Sequence, residues 1–338
     1  MRVIIWSIFF ALVSILNIES KSFDKQNYLY AVIQTPYVAN IVTWSSDGNY
    51  LAVGGNGYIW IYSMNGILIA TLATNEQIVI AMKYSLDNKM LISSSVSSNP
   101  SVSNRTIIWD TTTFQEHTVI NQITATDFIW FPDNKNILIG TSEGNLSVFN
   151  IEEASILTTS RILRRADQFN AINIFSFCAD LDYNKIFALT NYGIYQINPE
   201  SLDSEEIIYY AGGEGINGDC NPSLSLATYS RGVFINLFNG EIFTSGSSVE
   251  YPFGPDFTAK WNPVYNNAVS YVEQGLYLWD IMKLNVIALD TIERPSGFVR
   301  TQSIAWHPNG EYLAQGGKDG AYVNIWHITM EDLLNSQP

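Results

Sequence analysis

The sequence predicts an all-β protein, a seven-bladed β-propeller whose ring is closed by an N-terminal strand lying in the last blade. Three observations predict it. One fragment recurs seven times between about residues 28 and 328, at intervals of about 40 to 47 residues. Each copy is made of short runs with period-2 apolar alternation, separated by Asp, Asn, Pro and Gly, which builds strands and turns rather than helices. The last copy stops after its third strand, while a strand pattern without a copy of its own precedes the first. A unit of this length cannot bury its apolar faces alone and is stable when stacked on its neighbours.

The first copy reads Ile41-Val-Thr-Trp-Ser-Ser-Asp-Gly-Asn-Tyr-Leu-Ala-Val-Gly-Gly-Asn-Gly-Tyr-Ile-Trp60. Its Asn56-Gly57 is the strongest short-range hairpin signal. Copy two has Tyr84, then Met90 to Ile92, then Ile107 to Asp110, with an inserted Ser/Asn-rich loop from Ser93 to Arg105. Copy three has Trp130-Phe-Pro-Asp133, Ile137 to Gly140, Glu143-Gly144 and Leu146 to Phe149. Copy four is looser, with Phe177 ending its inner strand, then Ile186 to Leu189 and Ile194 to Ile197. Copy five has Cys220-Asn-Pro222, Leu224 to Thr228 and Val233 to Leu237. Copy six has Trp261-Asn-Pro263, Ala268 to Tyr271 and Leu276 to Asp280. Copy seven runs from Ser303 to Trp326. The segment Tyr28 to Gln34 reads as the extra strand, and its assigned place is the outer edge of the last blade, which leaves only short, protected edges.

Outside the repeat, Met1-Arg2 is a small positive region and Val3 to Leu16 is an apolar run, followed by small residues at Ser20 and Ser22. This is a secretory signal-peptide pattern over residues 1–20. An uncleaved anchor is the alternative, although the run is short for a membrane span. Residues 329–338 read as a polar tail. The propeller is read as a single domain over residues 28–328.

The residues at the strand ends resemble the WD40 family of β-propellers. Trp109-Asp110 and Trp279-Asp280 match the terminal Trp-Asp pair of that family, and Trp60, Phe149 and Trp326 hold the same place without the Asp. The turn after each inner strand is also similar. The Gly-His pair of the family is missing, so its His–Asp–Ser/Thr–Trp hydrogen-bond network is expected to be mostly absent. The resemblance implies a non-catalytic scaffold that binds a protein or peptide on a rim or at the channel mouth, with no cofactor. Two other readings stand beside it. One is a hydrolase-like propeller enzyme or ligand-binding protein with a site at the channel mouth. The other is a membrane-anchored component of an intracellular trafficking complex. The loops Ser93 to Arg105 and Ser201 to Gly218 depart most from the repeat and are where individuality is expected.

The net charge of −15 repels phosphates and anionic lipid, which argues against nucleic acid partners. Membrane contact is expected only through an uncleaved N-terminal segment. Asn104-Arg-Thr106 and Asn145-Leu-Ser147 are N-glycosylation acceptors in a chain that enters the secretory pathway, which is the expected localisation, lumenal or extracellular. Cys178 and Cys220 end the inner strands of adjacent blades. Equivalent positions there are expected to lie beyond the ~7 Å Cα limit for a bridge, so two buried free thiols are favoured over a disulfide.

No catalytic constellation is legible. His307 and His327 follow Trp306 and Trp326 at turn and strand-end positions, and His117 reads as a solvated loop residue. The oxygen-rich clusters Asn217 to Asn221 and Asp180 to Asn184 read as turns, and no metal-ligand spacing is present. Glu200 to Glu206 reads as a solvated acidic connection. Arg161 to Arg165 is the one basic run and reads as an inter-blade connection with Ile162 and Leu163 packed inward.

Overall fold

β-branched and aromatic residues alternate with polar ones through the repeat, and the backbone answers with antiparallel strands joined by tight turns. The computed structural model describes residues 28–99, 101–121, 123–163, 172–180, 183–209, 218–221, 223–229, 233–244, 258–265, 268–272, 275–280, 285–291, 303–316 and 321–329. The expected leader at 1–20 lies outside them, as does nearly all of the C-terminal tail.

Strand β1 (Leu29–Gln34) precedes the first unit, which contains β2 (Ile41–Trp44), β3 (Tyr50–Gly54), β4 (Asn56–Ser63) and the first part of β5 (Leu68–Tyr84). β5 runs on unbroken: residues 68–73 pair with β4, and residues 78–84 pair with β6 (Met90–Val96). It is therefore both the outer strand of unit one and the inner strand of unit two, which β7 (Arg105–Asp110) and β8 (Gln115–Ile120) complete. Unit three is β9 (Ala125–Trp130), β10 (Asn136–Thr141), β11 (Asn145–Asn150) and β12 (Ser155–Arg161). Unit four is β13 (Ile174–Ala179), β14 (Ile186–Thr190), β15 (Gly193–Ile197) and β16 (Ser204–Tyr209). Unit five is the smallest, with β17 (Asp219–Cys220), β18 (Leu226–Tyr229), β19 (Val233–Asn236) and β20 (Ile242–Thr244). Unit six is β21 (Thr258–Trp261), β22 (Ala268–Val272), β23 (Gly275–Asp280) and β24 (Asn285–Thr291). Unit seven has β25 (Ile304–Trp306), β26 (Tyr312–Gln315) and β27 (Tyr322–His327), and β1 adds to its outer edge, with Ala31 opposite Ile325 and Gln34 opposite Tyr322.

The cores lie between sheets, so each strand feeds two of them. In β10, Leu138 packs with Ile174, Phe177 and Ala188 of unit four, while Ile137 and Ile139 pack with Ile92 and Ile108 of unit two. In β3, Leu51 and Val53 join Val323 and Ile325 of unit seven, while Ala52 joins Val79 and Leu91 of unit two. Burial on both faces explains why these strands are apolar almost throughout, and each fully buried Ile or Leu contributes about 2 to 3 kcal/mol.

In six of the seven units, the turn after the inner strand has a left-handed residue at one fixed place. Gly48, Asn88, Asn134, Tyr183, Leu224 and Gly310 all occupy it, with φ between 48° and 76°. Gly and Asn suit that conformation, while Tyr183 and Leu224 tolerate it. These turns are also tied to one another. Asn88 Oδ1 accepts Ser46 N–H of the preceding unit at 2.6 Å, and Asn134 Oδ1 accepts Asp87 N–H at 3.1 Å. His307 Nε2 bonds Gly48 O at 3.1 Å, and Asn262 Nδ2 donates to Gly310 O at 2.8 Å.

Inside this belt, three of the inner-strand tryptophans latch neighbouring sheets. Trp44 Nε1 donates to Ala305 O, Trp130 Nε1 to Lys83 O and Trp306 Nε1 to Lys260 O, at 3.1 to 3.2 Å. In each case the acceptor lies one residue before the matching aromatic position of the preceding unit. Counted back from the turn hydrogen bonds, Cys220 holds the Trp position and Cys178 holds the acceptor position of the unit before. The two are joined as a disulfide, with Cα atoms 5.9 Å apart. This corrects the expectation of free thiols. The cysteines are not at equivalent positions but are offset by one residue, the offset at which neighbouring inner strands touch.

Other expectations change as well. Ser93, Ser94 and Ser95 are buried in β6, so the inserted loop is confined to residues 97–104. Ser204 to Tyr209 form β16, so Glu205 and Glu206 are strand residues, and residues 210–217 of the second loop lie outside the described ones. Copy four ends its inner strand at Ala179 rather than Phe177, because the turn bond is made by Asp180 N–H to Lys185 O. Asn56 and Gly57 do turn the chain, but only Gly57 has positive φ. Leu163 is exposed although Ile162 is buried. Part of the hydrogen-bond network thought lost is present, since Trp109 Nε1 donates to Ser93 Oγ at 2.8 Å.

Candidate binding site in the central channel

The inner strands surround a cavity of about 760 Å³. Its wall includes residues of all seven units, and its charged members are Lys83, Asp127, Asp219 and Lys260. Alternation along each inner strand sets their place: Val42 and Trp44 enter the inter-sheet core, and the residues beside them line the channel. One residue before the aromatic position stand Thr43, Lys83, Ile129, Cys178, Asp219, Lys260 and Ala305. Two residues earlier stand Asp127, Ser176, Thr258 and Ser303.

The four charged groups are held differently. Asp127 Oδ1 accepts Phe128 N–H at 2.8 Å, and its Oδ2 accepts Phe177 N–H at 2.8 Å and the Ser176 hydroxyl at 3.2 Å. Asp127 thus ties unit three to unit four where the Trp latch is replaced by Ala179. Asp219 Oδ2 accepts Trp261 N–H at 2.9 Å, and Oδ1 stands 3.8 Å from Lys260 Nζ. Burial pushes the Asp219 carboxyl up, against the opposing charges of Lys260 and Lys83 and the backbone N–H donors of Trp261 and Cys220. Lys83 Nζ donates to Phe128 O at 2.9 Å. Two lining residues carry buried polar atoms without a hydrogen-bond partner among the described residues, the Tyr84 hydroxyl and Trp261 Nε1. Burial pushes the Tyr84 phenol up, with the charge of Asp47 adding to it.

This arrangement can bind and orient a polar ligand. Among the described residues, no histidine lines the cavity. His307 bridges Asn309 Oδ1 and Gly48 O and stands edge-on to Trp44, and His327 stacks on Tyr312. His117 is exposed in β8, a strand rather than the expected loop. Asp180 Oδ1 accepts Lys185 N–H, and Asn221 Oδ1 accepts the N–H groups of Ser225 and Leu226, so both oxygen clusters cap turns. Asp182 and Asn217 lie outside the described residues. Among the described residues, no group of three or more His, Cys, Asp or Glu could hold a metal ion.

Asn104 is exposed at the end of loop 97–104, with Oδ1 accepting Ser97 N–H and Nδ2 donating to Thr124 Oγ1. Asn145 opens β11 beside Glu143 and is half-buried. Arg161 ends β12 with its Nε on Glu143 O, and Arg164 and Arg165 lie outside the described residues. Sequence reasoning missed Lys83, Asp127 and Lys260 and read Asp219 only as part of a turn, whereas all four line the channel. Aligning the copies on their turns instead of their aromatics puts Lys83, Asp219 and Lys260 in one column and would have found three of them.

Residues 34–63, which hold β2, β3 and β4, match the family described as WD domain, G-beta repeat. No curated protein matches the chain. A chain in a solved structure titled "Crystal Structure of Mitotic Checkpoint Complex" has a TM-score of 0.67 with this one, covering 93% of this chain and 94% of that one at 13% identity. The likeness shows the fold, an all-β propeller of WD40 type.

Proposed function

We propose that the protein is a non-catalytic interaction platform of WD40 type that enters the secretory pathway. The observation that carries the first half is the fold itself. Sheets packed on both faces make a rigid ring whose turns and loops are free to vary, and residues 34–63 carry the WD repeat match. Loop 97–104 is the described departure from the repeat and is the assigned contact surface. Its test is proximity labelling in cells with the wild-type chain and with a variant in which residues 97–104 are replaced by Asn-Gly. Partners labelled by the wild type and lost in the shortened, folded variant support the platform reading, and identical labelling by both contradicts this surface.

Three observations support the second half. Residues 1–20 have the signal pattern, Asn104 is an exposed acceptor, and Cys178 is bonded to Cys220, a bond that persists in oxidising compartments. Endoglycosidase treatment is expected to shift the protein on a gel, and the mature N-terminus is expected near Lys21. An intact Met1 without a shift supports the membrane-anchored alternative instead. The ligand-binding alternative has its own observation, the charged channel.

A further inference from the structure

We propose that an N-linked glycan on Asn104 lies docked in the cleft between units two and three, its inner N-acetylglucosamine residues held by the polar face of unit three. This rests on the secretory reading and goes beyond it, since it names where the glycan lies and which residues hold it.

A cleft of about 660 Å³ opens between the β8–β9 connection on one side and the β10–β11 turn, β11 and β12 on the other. That volume falls within the ~300 to 1,000 Å³ of small-ligand sites. Asn145 and Ser147 alternate onto one face of β11, and Arg161 and Thr159 stand directly opposite them in β12. All four line the cleft. Phe149, further along the same face, packs with Ile92 and Ile108 of unit two. This face of unit three therefore looks toward unit two, and its apolar core gives way to polar side chains where the cleft opens.

Ser147 is only 6% exposed, yet its hydroxyl makes no hydrogen bond to any described residue. A polar group buried in this way calls for an occupant that can bond it. The Arg161 guanidinium spends its Nε on Glu143 O at 3.2 Å and keeps the donors of both Nη atoms. Glu143 Oε2 accepts only a long contact of 3.4 Å from Asn145 Nδ2 and keeps acceptor capacity. Donors and acceptors thus stand side by side, which suits the hydroxyl and acetamido groups of a neutral sugar. A simple anion would meet Glu143, and a simple cation would meet Arg161. Ile123 and Ile156 add apolar surface for sugar C–H groups and acetamido methyls.

The acceptor stands at the mouth of this cleft. Asn104 Nδ2, the atom that carries a glycan, donates to Thr124 Oγ1 at 3.0 Å, and Thr124 lines the cleft. Glycosylation replaces one of the two Nδ2 protons, so the other remains for Thr124. Asn145 is itself half-buried in the wall, which leaves Asn104 as the acceptor. A docked glycan leaves residues 97–103 uncovered for the partner contact assigned to that loop.

The test is hydrogen exchange read by mass spectrometry on the full chain purified from cells with an intact secretory pathway, beside a peptide map covering the N-terminus and Asn104. Residues 141–147 and 155–161 are expected to exchange at least threefold more slowly in the glycosylated wild type than in Asn104→Gln, which lacks the acceptor. Thr159→Trp fills the cleft from an exposed strand position and is expected to abolish that protection. Thr158→Trp is expected to keep it, because Thr158 pairs with Val148 on the opposite face, toward unit four. If Thr159→Trp folds poorly, nuclear Overhauser contacts between the glycan's acetamido methyls and Ile123 or Ile156 decide the matter in the wild type. A glycan on Asn104 with equal exchange in wild type and Asn104→Gln overturns the docking and leaves the secretory reading intact. An unmodified Asn104 overturns the docking as well, and an intact Met1 beside it overturns the secretory reading too.

Discussion

Gly48 shows how one residue carries several constraints. Its φ of +76° favours glycine, and a Cβ there would run into the ring of His307. That ring joins unit seven to unit one through Gly48 O and packs edge-on to Trp44 with centroids 5.0 Å apart. Gly48→Ala should lose about 1 kcal/mol from the backbone alone and more from the displaced histidine. A drop of several degrees in melting temperature is the expected outcome, and an unchanged value would mean that the His307 contact is not maintained. The turn aspartates predict a pH dependence. Partial burial pushes Asp47 and Asp87 up, but hydrogen bonds from Ser45 and Asn49, and from Ser85 and Lys89 together with the Lys89 charge, outweigh it and hold both below the usual range. The Thr112 hydroxyl and the N–H groups of Thr112 and Thr113 lower Asp110 likewise. A carboxyl depressed in the folded state contributes stability above its unfolded value of about 3.9, and that stability is lost as pH falls through the folded value. Melting temperature should therefore fall below about pH 4, less steeply in Asp47→Asn and Asp87→Asn; equal slopes in wild type and variants would contradict the assignment. Asp219, raised by burial, acts in the opposite sense. At this scale the sequence was legible where a side chain serves its own turn, and opaque where it serves the next unit. Asn88 reads as a turn residue, yet its side chain holds Ser46 of the unit before it.

The elements show the same division. Strands were readable because burial on both faces leaves apolar runs such as Ile137-Leu-Ile139, and turns because Gly and Asn recur at the left-handed position. Copy four was misread because its latch residue is replaced. Ala179 stands in the Trp position of unit four, and Asp127 ties that seam instead. Cys220 stands in the Trp position of unit five, and a covalent bond ties that one. The two devices differ in strength. A latch hydrogen bond contributes about 1 kcal/mol, while a disulfide closing a loop of this length contributes on the order of 3 to 4 kcal/mol in the chain-entropy account. Reduction should thus lower the melting temperature and increase hydrogen exchange first in β17 to β20, the strands of the smallest unit. The double substitution Cys178→Thr with Cys220→Trp should restore a latch, with melting below the oxidised wild type and no response to reductant. If reduction leaves exchange in those strands unchanged, the seam does not depend on the bond.

For the whole molecule, the sheets contact one another in series, and the last contacts the first. Trp44 Nε1 reaches Ala305 O, Val42 N–H reaches Ser303 Oγ, and Ile33 of β1 packs among Val42, Trp44 and Ile325. Ile33→Asp should place an unpaired carboxylate in that seam and lower stability by several kcal/mol, with β27 left as an exposed edge. Aggregation of this variant on heating is expected, and wild-type behaviour would show that β1 is dispensable. The repeat made the architecture legible because the copies share one strand-and-turn pattern even where the seam residue changes. The channel was not legible, because it is assembled from single residues about 40 or more apart whose meaning appears only when the copies are aligned on their turns.

The most direct measurement is a non-reducing mass-spectrometric peptide map of the full-length protein purified from cells with an intact secretory pathway. The account predicts a linked Cys178–Cys220 peptide, a glycan on Asn104 and a mature N-terminus near Lys21. Free thiols at both cysteines, unmodified Asn104 and an intact Met1 would contradict it.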